Sequence, residues 1–292
     1  MRERLRRLLV ACALLSLAAC LPAVQITDDR GVLVSLPRAP QRIVSLFPSL
    51  TETVCQLGAC ARLVGVDRHS NHPAEVQTLP RVGGGLDPSI EAIVALRPEL
   101  VLMATSARGA ERLEALGIRV AALQPGSHAD VRRMIERIGV LLDAPAPGVQ
   151  AVWTGIEAEL DQAARSVPPR ARGLRVYFEI NSAPYAAGEA SFIGETLARL
   201  GARNIVPASL GPYPRLNPEF VVRADPDLIL VGDGPLAELR QRPGWAGLRA
   251  LREQRVCALT AAQSDIVVRS GPRLAEGARI LAHCLRETGV PR

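Results

Sequence analysis

The octapeptide ETVCQLGA at residues 52–59 returns as ETLARLGA at residues 195–202, with five identities in eight positions. A second phrase, EAIVALRPELVL (91–102), returns as EFVVRADPDLIL (219–230), and the two phrases keep their order in both copies. The offsets are 143 and 128 positions, so the second copy has 15 fewer residues between its phrases. One match among common residues is weak, but two in the same order are not. A solenoid would show many short, regular repeats. Two long copies imply two related lobes, and 292 residues are enough for two domains of ordinary size.

Each copy reads as α/β. After VQITDDRGVLVSL, which alternates around an Asp-Arg-Gly turn like a hairpin, short apolar runs alternate with helical stretches. The runs are RIVSL, LVGV, LVLM and RVAAL in the first half, then RVYFEI, DLILVG and RVCALT in the second. Runs apolar on both faces and separated by helices indicate parallel sheets covered on both sides. Helix starts are marked by Ser49-Leu50-Thr51-Glu52, a capping-box pattern, and by Asp87-Pro88 and Asn217-Pro218. Ser127 or Asp130 opens DVRRMIERIGVLL. GGGLDP (83–88) lacks the dinucleotide fingerprint and reads as a turn.

Between the halves, Pro145 and Pro147 open, and Pro168 and Pro169 close, a stretch of helical periodicity. About 20 helical residues span about 30 Å, enough to join two lobes stiffly and to favour small lobe motions over wide hinge closure. The expected fold is α/β with two pseudo-symmetric lobes, each a mostly parallel sheet flanked by helices, at residues 24–144 and 170–292. One long rigid helix (145–169) joins them. Ligands of open α/β sheets sit beyond the carboxyl ends of the strands, which places the site in the cleft between the lobes.

The N-terminus carries export information. MRERLRR precedes LLVACALLSLAAC, a positive region followed by an apolar run of signal-peptide length and too short to span a bilayer. Leu17-Ala18-Ala19-Cys20 resembles a lipobox, in which Cys20 is lipidated and residues 1–20 form the signal and its box; cleavage after Ala23 is the rival. Export leaves Cys55, Cys60, Cys257 and Cys284, which allow three pairings. Cys55–Cys60, close in sequence, is the first candidate and leaves Cys257–Cys284, with four buried thiols as the alternative. The spacing matches no common zinc cluster.

All 35 basic side chains are arginine, against 29 acidic ones, and four of those arginines fall in the first seven residues. The other charges alternate along helices without forming a basic stripe, which argues against nucleic acid as a partner.

Taken together, the lipobox, RIVSLFPSLTE, LVGVDRHSNHP, VGGGLDPSIEAIVALRPELVL, the single linker helix and APYAAGEASFIGETLARLGARNIV resemble one family over nearly the whole mature chain. It is the helical-backbone class of periplasmic substrate-binding proteins of ABC importers, and the likeness is nearest to its cobalamin-binding branch. The resemblance implies a monomeric, membrane-anchored lipoprotein of the periplasm that delivers a ligand to a permease dimer with its ATPase subunits. It also gives meaning to Glu91 and Glu219, which match across the repeat. Family members use one glutamate per lobe to engage arginines of the two permease subunits, and such a pair suits a symmetric transporter. The alternative is that each acid offsets the positive end of its own helix.

Loops that follow strands should line the cleft: Phe47-Pro48, the loop Asp67 to His72 with His69 and His72, then Tyr185, Tyr213, Trp245, Asp265 and Arg269. Only nine residues are aromatic, and at least four fall at these loops. Aromatic faces suit a large flat ligand held by a few polar groups; packing of loops to lobes is the alternative for Phe47 and Trp245. The resemblance favours cobalamin or another corrinoid. His69 and His72 stand where similar cobalamin binders tend to have aromatics, and either imidazole could reach a metal carried by the ligand. A metal site of the protein's own lacks a nearby carboxylate or thiolate at suitable spacing. Haem would want an axial donor, for which Tyr185, Tyr213 and His69 are candidates. An anionic ferric siderophore would want arginines such as Arg68, Arg215 and Arg269. Two carboxylates across a cleft could also be a hydrolase pair, but no nucleophile elbow, P-loop or H-E-x-x-H is present, and no catalytic residue is assigned.

Overall fold

A computed structural model describes residues 24–181, 185–233 and 236–287. The signal segment and Cys20 lie outside the described residues.

The chain opens with an antiparallel hairpin, β1 (Val24–Thr27) and β2 (Leu33–Leu36). The first lobe holds a four-stranded parallel sheet of β3 (Ile43–Ser45), β4 (Leu63–Val66), β5 (Leu100–Met103) and β6 (Arg119–Ala122), ordered β4-β3-β5-β6. The second lobe uses β7 (Arg175–Asn181), β8 (Tyr185–Ala186), β9 (Arg203–Asn204), β10 (Leu228–Asp233) and β11 (Val256–Ala258). There β11-β10-β7 run parallel, β9 pairs parallel with the start of β7, and β8 pairs antiparallel with its end. Thus β3, β4, β5 and β6 correspond to β7, β9, β10 and β11. Every residue of β3 and β5 is buried, as strands covered on both faces require.

The likeness extends to hydrogen bonds. The repeated phrase EAIVALRPELVL forms the helix Ile90–Ala95 and β5, and its copy forms the helix Pro218–Ala224 and β10. Both helices exit through a non-glycine residue with positive φ followed by proline, Arg97 at 46° and Asp225 at 37°. Two residues on, an acid receives the neighbouring strand: Glu99 accepts from the backbone N–H groups of Gln41 and Arg42, and Asp227 from that of Arg175 at 2.8 Å. Arg42 returns the contact by donating to the carbonyl of Leu96 at 2.6 Å, and Arg175 donates to that of Ala224.

The linker helix runs Ala146–Ser166 with Pro145 as its N-cap, and buries Val149, Trp153, Ile156, Leu160 and Ala163. It packs on the helix His128–Leu141 of the first lobe and the C-terminal helix Leu274–Glu287 of the second. One apolar core therefore runs continuously from Ile26 through Leu160 to Leu285. Fully burying one such side chain contributes roughly 1.5–3 kcal/mol, so the lobes are fused along their back rather than hinged on a free tether.

Two helix starts differ from the sequence reading. The helix Pro48–Gln56 begins after Phe47, with Pro48 at its first position and no side-chain cap. Ser49 is already inside the helix, and Glu52 turns away from the helix start toward arginines of the other lobe. The helix Ile90–Ala95 is capped by Ser89, whose oxygen accepts from Ala92, while the carboxylate of Asp87 pairs with Arg68 at 2.5 Å. Asn217 and Ser127 do cap their helices, the latter in a reciprocal box with Asp130. The sulfurs of Cys55 and Cys60 lie 2.06 Å apart, and those of Cys257 and Cys284 lie 2.03 Å apart.

Candidate functional site

Where β3, β4 and β5 end, their following residues Leu46, Asp67 and Ala104 open onto a hollow of about 610 Å³. Phe47, Pro48, Arg68, His69 and the turn Gly84–Asp87 complete its first-lobe wall, and Asp265, Val268 and Arg269 face them from the second lobe. This is the expected position at the carboxyl ends of parallel strands. Gly83 makes the tight turn: its φ is 95°, and a Cβ there would sit 2.5 Å from the carbonyl oxygen of Asp87.

The loop after β4 is built to hold still. Buried Asp67 accepts the backbone N–H of His69 at 2.7 Å and the hydroxyl of Ser70. Ser70 contacts Thr51 at 2.9 Å, and Thr51 donates to Ser45 at 2.8 Å. Arg81 donates to the carbonyls of Asp67 and Ser70 from below. On the other side, Arg269 donates to the carbonyl of His69 at 3.0 Å and to Oδ1 of Asn71 at 2.8 Å. His69 itself is exposed to the hollow's mouth. Its loop is therefore gripped from both lobes while its imidazole stays free to meet a ligand.

Of the eight residues expected to line the cleft, Phe47, His69, Asp265 and Arg269 come together there. The other four do not. His72 faces a separate hollow of about 260 Å³ shared with Glu52, Cys55, Glu75 and Arg273, where burial holds its pKa below the usual imidazole value. Tyr185 and Tyr213 are exposed but are not among the residues lining the cleft hollow. Trp245 is fully buried in the second lobe's core. Its indole N–H donates to the carbonyl of Pro218 at 3.3 Å, its ring meets Tyr177 edge-on at 5.9 Å, and Arg242 sits 4.6 Å over it. That arginine is held by the buried carboxylate of Glu179 at 2.5 and 2.8 Å. Phe47 is the aromatic side chain that lines this hollow, with Leu46, Leu86 and Val268 supplying aliphatic surface.

Sequence reasoning placed Asp67 and Asn71 in the loop after β4 without giving either a role, and it passed over Leu86 and the cross-lobe contacts of Glu52. Glu52 alone had a visible signal, because it begins the phrase repeated at Glu195, yet its spacing from Ser49 read as a helix cap. A larger hollow, about 750 Å³, lies along the helix Phe192–Arg199 and β9, away from the strand ends. Glu91 and Glu219 are exposed in the first turns of their helices, on separate lobes. Glu91 lies 3.6 Å from Arg112, an exposed pair of little energetic weight.

Residues 43–262 match the periplasmic binding protein family. The chain belongs to that family. It is 30% identical over 277 residues to an uncharacterised ABC transporter substrate-binding lipoprotein of Bacillus subtilis, covering 90% of this chain and 85% of that protein. A vitamin B12-binding protein of Pectobacterium carotovorum is 26% identical over 240 residues, covering 80% and 84%. Among solved structures, a periplasmic heme-binding protein of Pseudomonas aeruginosa superposes with a TM-score of 0.74 at 28% identity, covering 87% of this chain and 95% of that one. The protein is a non-enzymatic, extracytoplasmic solute-binding component that works with the permease and ATPase of an ABC transporter.

Proposed function

We propose that the protein captures a corrinoid, cobalamin foremost, in the cleft between its lobes and delivers it to a permease dimer. The supporting observation is the state of the cleft's cations. Both arginines lining the hollow are already matched: Arg68 with Asp87 at 2.5 Å, and Arg269 with Glu52 at 2.9 Å and Asp265 at 3.0 Å. The carboxylates of haem or of an anionic siderophore would have to displace these partners. A corrin rim carries neutral amides, which can use the mixed donors and acceptors of Arg68, His69, Asp87 and Asp265 without breaking an ion pair. The vitamin B12-binding relative supports the same reading. Haem remains the second reading, favoured by the heme-binding neighbour and by the free imidazole of His69 as an axial donor.

Glu91 and Glu219 serve as the docking corners, one per permease subunit. Their helices share the hydrogen-bonded exit described above, so the two carboxylates are carried by the same local frame. The protein acts as a monomer, with lobes at 24–144 and 170–292, anchored through Cys20 and stapled by Cys55–Cys60 and Cys257–Cys284. Titration calorimetry of the purified protein against cyanocobalamin, haemin and a ferric siderophore decides the ligand. One-to-one binding of cyanocobalamin alone is expected, and binding of haemin alone would replace the corrinoid reading. Glu91→Gln with Glu219→Gln should abolish stimulation of transport in vesicles while leaving ligand affinity unchanged.

A further inference from the structure

Glu52 lies on the helix Pro48–Gln56 of the first lobe with its side chain 2% exposed. Its carboxylate receives Arg269 at 2.9 Å and both Nε and Nη2 of Arg273, at 3.0 and 2.8 Å, all from the second lobe. Arg269 is itself 7% exposed and spends its remaining N–H groups on the cleft: Nη1 also reaches Oδ1 of Asn71, and Nη2 reaches the carbonyl of His69 and Asp265. Asn71 closes the circuit by donating to Asp265 at 2.8 Å. A planar guanidinium has a fixed fork of donors, so orienting one edge against Glu52 fixes where the other edge can hold the His69 loop. Asp265 also attracts Arg269, but it is 44% exposed and is screened by solvent in a way that Glu52 is not.

We propose that Glu52 is a positioning residue of the cleft: by clamping Arg269 and Arg273 across the lobe boundary, it sets the placement of the loop that presents His69 to the ligand. The second repeat supports the assignment. Glu195 stands where Glu52 stands in the other copy, and it too reaches across the boundary, accepting the backbone N–H of His128 at 2.7 Å. Its neighbour Thr196 meets the His128 ring at 2.8 Å. The phrase that occurs twice therefore supplies one cross-lobe contact on each side of the molecule. The role assigned to Glu52 rests on reading the hollow as the ligand cleft; the clamp itself can be measured without ligand.

The test uses the full protein and three variants: Glu52→Gln, the milder Arg273→Met, which leaves Glu52 paired with Arg269, and Arg132→Gln as a control in the exposed Arg132–Glu136 pair. Hydrogen exchange by mass spectrometry compares peptides covering residues 67–72 and 175–181. Glu52→Gln should speed exchange of the 67–72 segment by about tenfold, and Arg273→Met by less, with 175–181 unchanged. Dissociation of cyanocobalamin or haemin, whichever probe the wild type binds, should accelerate about tenfold in Glu52→Gln with little change in association. Equal protection of 67–72 in all proteins, or a loss spread evenly over both peptides, overturns the proposal. If Glu52→Gln does not fold, the exchange of Arg273→Met decides by the same two criteria. If neither probe binds the wild type, the ligand reading fails, and the exchange data still judge the clamp.

Discussion

The two helices written with the repeated phrase have come to differ in the one residue that both use to cross the lobe boundary. Glu52 is sealed between two arginines, and the salt bridges are shielded from solvent. Glu195 has a side chain 46% exposed and meets a neutral partner, the backbone N–H and ring of buried His128. Around each glutamate the scaffolding is the same. The threonine that follows donates back to the carbonyl four residues earlier, Thr53 to Ser49 at 2.7 Å and Thr196 to Phe192 at 2.8 Å. Duplication thus supplied one helix twice, and the partner opposite each copy decided whether its carboxylate became a charged clamp or a polar contact. The charged clamp stands beside the loop after β4, which lines the hollow between the lobes.

Removing the two carboxylates should separate these roles most sharply. Glu52→Leu removes the buried carboxylate that Arg269 and Arg273 share, leaving Arg269 only its half-exposed acidic partner Asp265, and should cost about 3 kcal/mol of unfolding free energy. Glu195→Leu removes a half-exposed acceptor and should cost about 1 kcal/mol or less. Urea denaturation of both variants checks this, and equal losses would erase the distinction between clamp and contact.

A smaller effect should appear with pH. Burial, aided by the nearby charge of Arg199 and opposed by that of Glu195, holds the pKa of His128 below its ordinary value. The unfolded chain therefore takes up a proton that the folded chain resists, and stability falls as pH drops below about 6.5 toward the folded pKa. His72 acts in the same direction. Unfolding midpoints measured at several pH values should show His128→Gln with a flatter acid decline than the wild type. The residual slope should belong to His72 and the carboxylates. Each side of the boundary thus holds one imidazole with a lowered pKa, His128 beside Glu195 and His72 beside Glu52 and Arg273.

Most of the fold was legible because it rests on local patterns. The seven apolar runs all became strands, and the linker helix stops at the prolines that mark its ends. Strands β8 and β9 were missed because two residues carry no period, and their pairing depends on β7. The cleft was legible by position more than by membership. Phe47 and His69 follow strands and line it, whereas Trp245, equally well placed in sequence, turns inward because Tyr177, Arg242 and the Pro218 carbonyl offer it a buried niche. The clamp was hidden by a conflict of signals. Ser49 and Glu52 have the spacing of a capping box, but Pro48 starts the helix one residue too early for Ser49 to cap it, and only the fold brings Arg269 and Arg273 within reach. A residue's long-range partner is not written in its neighbourhood.

The smallest contrast lies at the ends of the two helices that carry Glu91 and Glu219, where the chain leaves each helix with positive φ at a non-glycine residue, Arg97 and Asp225. An L-residue pays about 1–2 kcal/mol for that conformation, and glycine would relieve it. The two sites should respond differently because only one side chain is tied down by its surroundings. The carboxylate of Asp225 accepts the backbone N–H of Arg249 at 2.8 Å and lies 3.7 Å from its guanidinium. Arg97 → Gly should therefore raise the unfolding free energy by about 1 kcal/mol, the relief less the extra freedom of glycine in the unfolded chain. Asp225→Gly should give no gain, since losing the hydrogen bond to Arg249 costs about 1 kcal/mol and offsets the same relief. Thermal unfolding of the two variants side by side checks the difference. Equal stabilisation at both helix ends would mean that the Asp225–Arg249 contact adds nothing to stability.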